Sequence, residues 1–88
     1  MKWNLTLSDK AVKQLKKLDK QTSKLIIAWL RKNIEGCEDP RVHGKGLVGD
    51  KSGMWRYRIG DYRVLCDIDD GELVVLALEI AHRKSVYR

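Results

Sequence analysis

Residues 55–68 read WRYRIGDYRVLCDI, two alternating segments that meet at Gly60-Asp61. A two-residue turn that begins with glycine is typical of a tight β-hairpin, because such a turn requires a positive φ. The hairpin predicts a register that pairs residue 59 with 62, 58 with 63, 57 with 64 and 55 with 66. Because side chains alternate across a strand, one face of the hairpin is aromatic and aliphatic and the other carries arginine.

A third antiparallel strand is predicted after the hairpin. A loop of Asp69, Asp70 and Gly71, with the glycine left-handed, keeps Glu79 off the apolar face, whereas a two-residue loop places it there. The three-residue loop is preferred because a buried face strongly constrains register. It predicts that Val74, Leu76, Leu78 and Ile80 face the core, and that Val75, Ala77, Glu79, Ala81 and Arg83 share the arginine face.

The first part of the chain predicts one strand and two helices. Residues 2–7 alternate, with three large apolar side chains on one face. Ser8 is a suitable N-cap for the first helix, because its hydroxyl can accept a bond from a first-turn N–H. Asp19 begins a second helix that runs to about residue 35, and Gly36 is a natural stop. The predicted inward residues of the helices are Ala11, Leu15, Leu18, Ile26, Ile27, Leu30 and Ile34.

Residues 37–53 form a long connector that contains Pro40 and four glycines and lacks periodicity. Loops of this length are often functional, although the composition fits a plain connection equally well. The predicted fold class is α+β: an N-terminal strand, a two-helix hairpin and an antiparallel three-strand meander, with the helices packed on one sheet face. We expect a single domain over residues 1–88.

The composition indicates a basic globular domain. The 88 residues include 18 Lys and Arg against 12 Asp and Glu, a net charge of +6, which favours a polyanion or an acidic protein as partner. The longest apolar run, residues 25–30, is far shorter than the about 20 residues of a membrane span, and no signal peptide is evident. Cys37 and Cys66 lack metal-like spacing. We therefore expect a cytoplasmic protein with reduced thiols and without a metal, a cofactor or a membrane partner.

Three arginines share the predicted polar face of the hairpin: Arg56, Arg58 and Arg63. Like charges directly opposite each other across a strand pair are destabilising, and Arg58 and Arg63 form such a pair. Asp61, Asp67 and Glu79 could neutralise them on a salt-bridged surface. The functional alternative is a phosphate site, because guanidinium groups bind phosphate oxygens bidentately and stay charged at physiological pH.

Two motifs carry a resemblance to a known family. WRYRIGDYRV at residues 55–64 and AHRKSVYR at residues 81–88 resemble the RelE branch of the RelE/ParE toxin superfamily, and the order of elements agrees over essentially the whole chain. The resemblance implies a toxin of a toxin–antitoxin system, an endoribonuclease (mRNA interferase) that cleaves mRNA on the ribosome. It also implies a RelB-like antitoxin, with operator DNA contacted only through the antitoxin complex.

The resemblance assigns roles to individual residues. Arg56 and Arg58 match basic residues that hold and activate the scissile phosphate. Arg63 matches the arginine that stabilises the transition state, Arg83 the one that stabilises the leaving group, and Tyr87 the tyrosine that orients the nucleotide. Some relatives have lysine at the first two positions, so arginine there weakens the case for a lysine proton acceptor. Further RNA contacts are predicted for Lys51, His82, Lys84 and Arg88.

The chemistry of RNA cleavage can also be considered from first principles. The RNA 2′-hydroxyl can attack the adjacent phosphorus and leave a 2′,3′-cyclic phosphate, or its hydrolysed form, and a 5′-hydroxyl. Arginines can stabilise the dianionic phosphorane, but with pKa values above about 12 they exchange protons slowly near neutral pH. Among the titratable side chains, the predicted register turns His82 to the apolar face, His43 is assigned no role, and Tyr87 is favoured. Weak proton transfer suits an enzyme whose substrate is oriented by the ribosome.

Three other functions remain open. A ParE-like toxin would inhibit DNA gyrase through protein contacts. A non-catalytic RNA-binding module would bind through the same arginines, and a degenerate toxin would be kept for its antitoxin complex. An acidic amphipathic antitoxin segment would fit the arginines together with Leu65, Val75 and Ala77, unless those three lie under the long loop.

Overall fold

The computed structural model describes residues 2–49 and 53–82. Its elements are β1 (Asn4–Leu7), α1 (Asp9–Lys17), α2 (Lys20–Asn33), β2 (Lys45–Gly46), β3 (Trp55–Ile59), β4 (Tyr62–Asp69) and β5 (Val74–His82). The strands form one sheet in the order β1-β5-β4-β3-β2, in which β1 is parallel to β5 and the other pairs are antiparallel. The predicted α+β architecture is confirmed, with β2 as an additional short strand inside the predicted connector.

The helix boundaries follow from local capping. Ser8 Oγ accepts from Ala11 N at 3.0 Å at the start of α1, and an Asp19 carboxylate oxygen accepts from Thr22 N at 3.0 Å at the start of α2. Gly36, with φ of +75°, follows the end of α2, as predicted. No helix within the two described ranges is long and apolar enough to cross a membrane.

The hairpin of β3 and β4 has the predicted register. Gly60 has a φ of +59°, and the Cα partners are 59 with 62, 58 with 63, 57 with 64 and 55 with 66. Tyr57, Ile59, Val64 and Cys66 are consequently buried on the helix side of the sheet. The hairpin therefore defines which face of the sheet packs against the helices and which face carries the arginines.

The predicted three-residue loop between β4 and β5 is wrong, and so are the predicted faces of the first half of β5. Asp69 pairs with Val74, so the loop has four residues, and its left-handed residue is Leu73 (φ +54°) rather than Gly71. A β-bulge at Leu78 then shifts the register by one residue. Val75 and Ala77 are therefore fully buried in the core, and Val74 and Leu76 lie on the arginine face. Beyond the bulge, Glu79, Ile80 and Ala81 have their predicted orientations.

Helix α1 supplies hydrogen bonds to the bulge. Ser8 Oγ donates to the Leu78 carbonyl at 2.8 Å, and the Ile80 N–H donates to Gln14 Oε1 at 2.6 Å. Lys10 Nζ lies 2.6 Å from Glu79 Oε1. These contacts satisfy backbone groups beside a disrupted strand ladder, where an unpaired buried group would cost free energy.

The core lies between the two helices and one sheet face. The buried hydrophobic residues are Trp3, Ala11, Leu15, Ile26, Leu30, Ile34, Tyr57, Ile59, Val64, Cys66, Val75, Ala77 and Ile80. The opposite sheet face is left without a helix layer among the described residues and presents the arginines.

Candidate functional site

The arginine face, defined here by Arg56, Arg58 and Arg63, lies on the sheet side opposite the helices. Arg58 of β3 stands directly across from Arg63 of β4, and Arg56 is paired with Leu65. Arg58 is exposed, whereas Arg56 and Arg63 are half-buried, and the Arg63 Nε atom is itself buried. The predicted convergence of three guanidinium groups on one surface is therefore present in the fold.

Neighbouring strands extend the arginine face on both sides. Lys45 of β2 is the Cα partner of Arg56, which adds a fourth cation to the row. On the other side Arg63 is paired with Ala81, which carries only a methyl group. Glu79 shares this face but binds Lys10 of α1 at 2.6 Å. Three adjacent strands thus present a predominantly positive surface.

Sequence reasoning missed Lys45 because it lies in a connector without periodicity. The signal available was the pair of glycines around it in Gly44-Lys45-Gly46. Gly44 has a φ of +81°, and a Cβ at this position would collide with the carbonyl oxygen of Arg56. Only glycine therefore permits the connector to run close enough to β3 for Lys45 to pair with Arg56.

Side chains of β3 fix the connector in place. The buried Tyr57 hydroxyl donates to the Pro40 carbonyl at 2.6 Å, and Trp55 Nε1 donates to the His43 carbonyl at 2.7 Å. Burial raises the pKa of Tyr57, so its hydroxyl remains a donor across the physiological range. The long connector is thus a positioned part of the site.

An ion pair joins the connector to the turn between β4 and β5. Both Arg41 terminal nitrogens bind the Asp70 carboxylate at 2.8 Å, and the Arg41 guanidinium carbon lies 5.9 Å from the Trp55 ring centroid. The hydrogen bonds from Arg41 lower the pKa of Asp70, and the same bonds raise the pKa of Arg41. This arginine is therefore engaged in a bidentate ion pair away from the arginine face.

A cavity of about 300 Å³ adjoins the arginine face at the sheet edge where β2 ends. Its lining residues are Trp29, His43, Gly44, Lys45, Arg56 and Arg58. The Trp29 and His43 rings meet edge to face with centroids 5.4 Å apart. Aromatic surface and cationic side chains therefore share one small space, which neither composition nor periodicity indicated.

His82 lies away from the arginine face. It is the Cα partner of Tyr62, and the two rings meet edge to face with centroids 5.3 Å apart on the helix side of the sheet. This is the orientation predicted from the register. The other predicted site residues, Lys51, Arg83, Lys84, Tyr87 and Arg88, lie outside the described residues, so their roles stay predictions.

The cysteines and acidic residues do not form a metal site in the described part of the chain. No group of three or more His, Cys, Asp or Glu side chains there could hold a metal ion. Cys37 and Cys66 are free thiols. Burial raises the pKa of Cys66 to about 12, so this thiol is protonated near neutral pH and packs as part of the core.

The sequence of this chain matches a known protein family. Residues 5–87 match the family described as the ParE toxin of type II toxin–antitoxin system, parDE. The chain belongs to this family of toxins. The relatives that it resembles in sequence and structure are RelE-type toxins of the RelE/ParE superfamily.

Two proteins of Mycobacterium tuberculosis (strain ATCC 25618 / H37Rv) are similar in sequence. Toxin RelE is 44% identical over 50 residues, which cover 57% of this chain and 52% of that protein. Toxin RelG is 38% identical over 50 residues, which cover 57% of this chain and 58% of that protein. The chain thus spans little more than half the length of the curated relatives that it matches.

Solved structures show the same fold over nearly the whole chain. The toxin–antitoxin complex RelBE2 from Mycobacterium tuberculosis has a TM-score of 0.85 at 25% identity and covers 94% of this chain and 93% of that chain. A mutant of the E. coli toxin RelE in the free state has a TM-score of 0.76 at 19% identity, with coverage of 98% and 88%. The archaeal RelE–RelB complex from Pyrococcus horikoshii OT3 has a TM-score of 0.72 at 24% identity, with coverage of 98% and 100%.

Proposed function

We propose that this protein is an endoribonuclease that cleaves mRNA on its arginine face. The observation that carries this function is the placement of Arg56, Arg58 and Arg63 on one sheet face, with two of them directly opposed. Opposed like charges oppose folding, and a bound phosphate relieves their repulsion through charge-assisted, bidentate hydrogen bonds. Lys45 adds a further contact for the same RNA backbone.

The reaction uses the nucleophile that RNA carries. The 2′-hydroxyl attacks the adjacent phosphorus, the bond to the 5′-oxygen breaks, and the products are a 2′,3′-cyclic phosphate, or its hydrolysed form, and a 5′-hydroxyl. Arg56 and Arg58 hold the scissile phosphate, and Arg63 stabilises the charge of the phosphorane, where fixed donors are worth most. Arg83 and Tyr87 take the leaving-group and nucleotide-orienting roles that the family resemblance implies.

The three arginines of the arginine face are poor proton-transfer groups, and this favours action on the ribosome. Arginines exchange protons slowly near neutral pH, and His82 lies on the other side of the sheet. An external surface that aligns the 2′-oxygen with the phosphorus would compensate through orientation. We expect cleavage of ribosome-bound mRNA and negligible cleavage of the same RNA free in solution; equally fast cleavage of both would contradict the ribosome requirement.

Transcript mapping tests the nuclease activity in cells. Induction of the wild-type protein is expected to create discrete 5′ ends within translated regions, sequenced as 5′-hydroxyl termini. Arg63→Ala is expected to reduce these ends at least 100-fold, in line with the loss of a transition-state donor. Arg31→Ala removes the same charge from the exposed surface of α2 and is the matched control. Equal cleavage by wild type and Arg63→Ala would contradict the role of Arg63 in stabilising the transition state.

An acidic antitoxin of the RelB kind is the proposed protein partner. The apolar contacts for it differ from those expected from sequence, because Val75 and Ala77 are in the core. Leu65 and Leu76 are half-buried on the arginine face and offer apolar surface beside the cations. Contact with operator DNA would occur only through this complex. Leu76→Asp is expected to weaken rescue by the co-expressed antitoxin while leaving cleavage intact; undiminished rescue would exclude this docking surface.

Inhibition of DNA gyrase is the second candidate function, because the matched family is described by its ParE toxin. A gyrase poison would act through protein contacts and would not need a row of phosphate-binding groups. Induction followed by separate assays of RNA cleavage and of gyrase-dependent DNA breaks discriminates between the two. DNA breaks with intact transcripts would establish the second function in place of the first.

A further inference from the structure

We propose that the cavity at the edge of β3 is a nucleobase subsite, which binds one unstacked base of the RNA strand whose backbone lies on the arginine face. This inference rests on the proposed function, because it assigns a second part of the same RNA to a neighbouring space. The base would stack on the exposed His43 ring and contact Trp29, whose ring plane stands at 73° to that of His43. Its phosphate would lie toward Lys45, Arg56 and Arg58.

The composition of the cavity wall supports this ligand. The cavity is lined by Trp29 and His43, here called its aromatic wall, and by the cations Lys45, Arg56 and Arg58, here called its charged wall. Aromatic rings next to a basic groove are the combination that binds single-stranded nucleic acid, since every base has a face that can stack. The volume of about 300 Å³ lies at the lower end of the range for small-molecule pockets and suits a single nucleotide.

The aromatic wall is held in place by the core. Trp29 projects from α2 and packs against the buried Tyr57, with ring centroids 5.5 Å apart. The His43 carbonyl is bound by Trp55 Nε1 at 2.7 Å, while His43 itself is exposed and meets Trp29 edge to face. A stacking platform that is rigid before binding loses little entropy when the base arrives.

The charged wall is continuous with the arginine face. Lys45 and Arg56 are cross-strand partners, and Arg58 is two residues further along β3 on the same face. A base in the cavity would therefore lie within one nucleotide of a phosphate between Arg58 and Arg63. Bases in a duplex are stacked and cannot enter such a space, so the ligand is single-stranded RNA.

Binding of an uncleavable oligonucleotide tests the subsite directly. The probe is a 2′-O-methyl RNA trinucleotide, compared with the same trinucleotide lacking its central base. The wild-type protein is expected to bind the complete trinucleotide at least about fivefold more tightly, because base stacking supplies the difference. In NMR spectra the indole N–H signal of Trp29 is expected to shift, while that of the buried Trp3 provides the internal reference.

Two exposed positions provide the variants. His43→Ala is expected to reduce the preference for the complete trinucleotide while its affinity for the abasic form is kept. Lys45→Ala is the matched control and is expected to weaken both probes equally, because it contacts phosphate. Equal wild-type affinity for the two probes, or an unchanged preference in His43→Ala, would overturn the subsite.

The assay separates this inference from the proposed function, because binding of the probe requires no cleavage. If mRNA is not cleaved but the base preference is found, the result supports the subsite and contradicts the nuclease reaction. If mRNA is cleaved and the preference for the complete trinucleotide is absent, only the subsite is contradicted.

Discussion

Arg58 and Arg63 are directly opposed cross-strand partners in the hairpin. Opposed like charges reduce sheet stability by roughly 0.2–1 kcal/mol, so this pair opposes folding in the absence of a ligand. Residues kept at a cost to stability are typical of functional sites. We therefore expect this opposed pair to cost the protein part of its folding free energy.

Replacement of one partner makes this cost measurable. Arg58→Gln is expected to increase the free energy of unfolding by about 0.5 kcal/mol and to decrease mRNA cleavage. Urea unfolding measures the first quantity, and raised salt is expected to diminish the difference by screening the repulsion. Arg31→Gln on α2 is expected to change neither quantity appreciably. A lower free energy of unfolding in Arg58→Gln than in wild type would show that the pair stabilises the fold.

The pair of Arg41 and Asp70 predicts a pH dependence of stability. Hydrogen bonds from Arg41 lower the pKa of Asp70 from its ordinary value of 3.8. A depressed carboxyl pKa stabilises the folded state above the ordinary value, and this contribution is lost as the pH falls through the folded-state pKa. We therefore expect the urea midpoints of wild type and Asp70→Asn to differ at neutral pH and to converge below 3.8. A difference that persists at the acidic end would exclude ionisation of Asp70 as its cause.

At the scale of elements, Ser8 joins α1 to the bulge of β5. Its oxygen caps α1 by accepting from Ala11 N, and its hydroxyl proton is donated to the Leu78 carbonyl. Ser8→Ala removes both bonds and is expected to cost about 2 kcal/mol of unfolding free energy. Asp19→Ala, which removes the cap of α2 on an exposed surface, is expected to cost about 1 kcal/mol. Equal losses in the two variants would mean that the bond to the bulge contributes nothing.

The elements also show where sequence reasoning succeeds and fails. The β3–β4 hairpin was predictable because Gly60-Asp61 and strict alternation are local signals. The first half of β5 was not, because residues 73–78 read LVVLAL and are apolar at both alternating sets of positions. The predicted register therefore rested on keeping Glu79 off the apolar face. The bulge at Leu78 lets Glu79 face outward while Val75 and Ala77 face inward.

The site was predictable to the extent that it lies on the hairpin. Arg56, Arg58 and Arg63 followed from alternation and register. Lys45 and His43 did not, because their positions depend on hydrogen bonds between residues far apart in sequence, such as Tyr57 with Pro40. Periodicity carries no information about contacts of this kind, whereas the closely spaced glycines of the connector indicate an approach to another backbone.

At the scale of the whole molecule, the buried Cys66 reports on global unfolding. Its pKa of about 12 keeps the thiol protonated near neutral pH, and the thiolate is the reactive form. Its place in the core also keeps thiol reagents away from the sulfur. In the native protein at pH 8 we expect the half-buried Cys37 to react with a thiol reagent before Cys66. In Cys37→Ser, labelling is expected to accelerate with urea in step with unfolding. Prompt labelling of Cys66 without denaturant would contradict a well-packed core between helices and sheet.

The arginine face is proposed to cleave RNA through the substrate's own 2′-hydroxyl. The most direct measurement uses ribosome-bound mRNA that carries a single 2′-deoxynucleotide on the 5′ side of the mapped cleavage site. Cleavage at that site is expected to disappear, while the unmodified mRNA yields a 5′-hydroxyl product and Arg63→Ala yields none from either substrate. Undiminished cleavage of the deoxy-substituted mRNA would exclude this mechanism, because a nucleophile other than the 2′-hydroxyl would then attack the phosphorus.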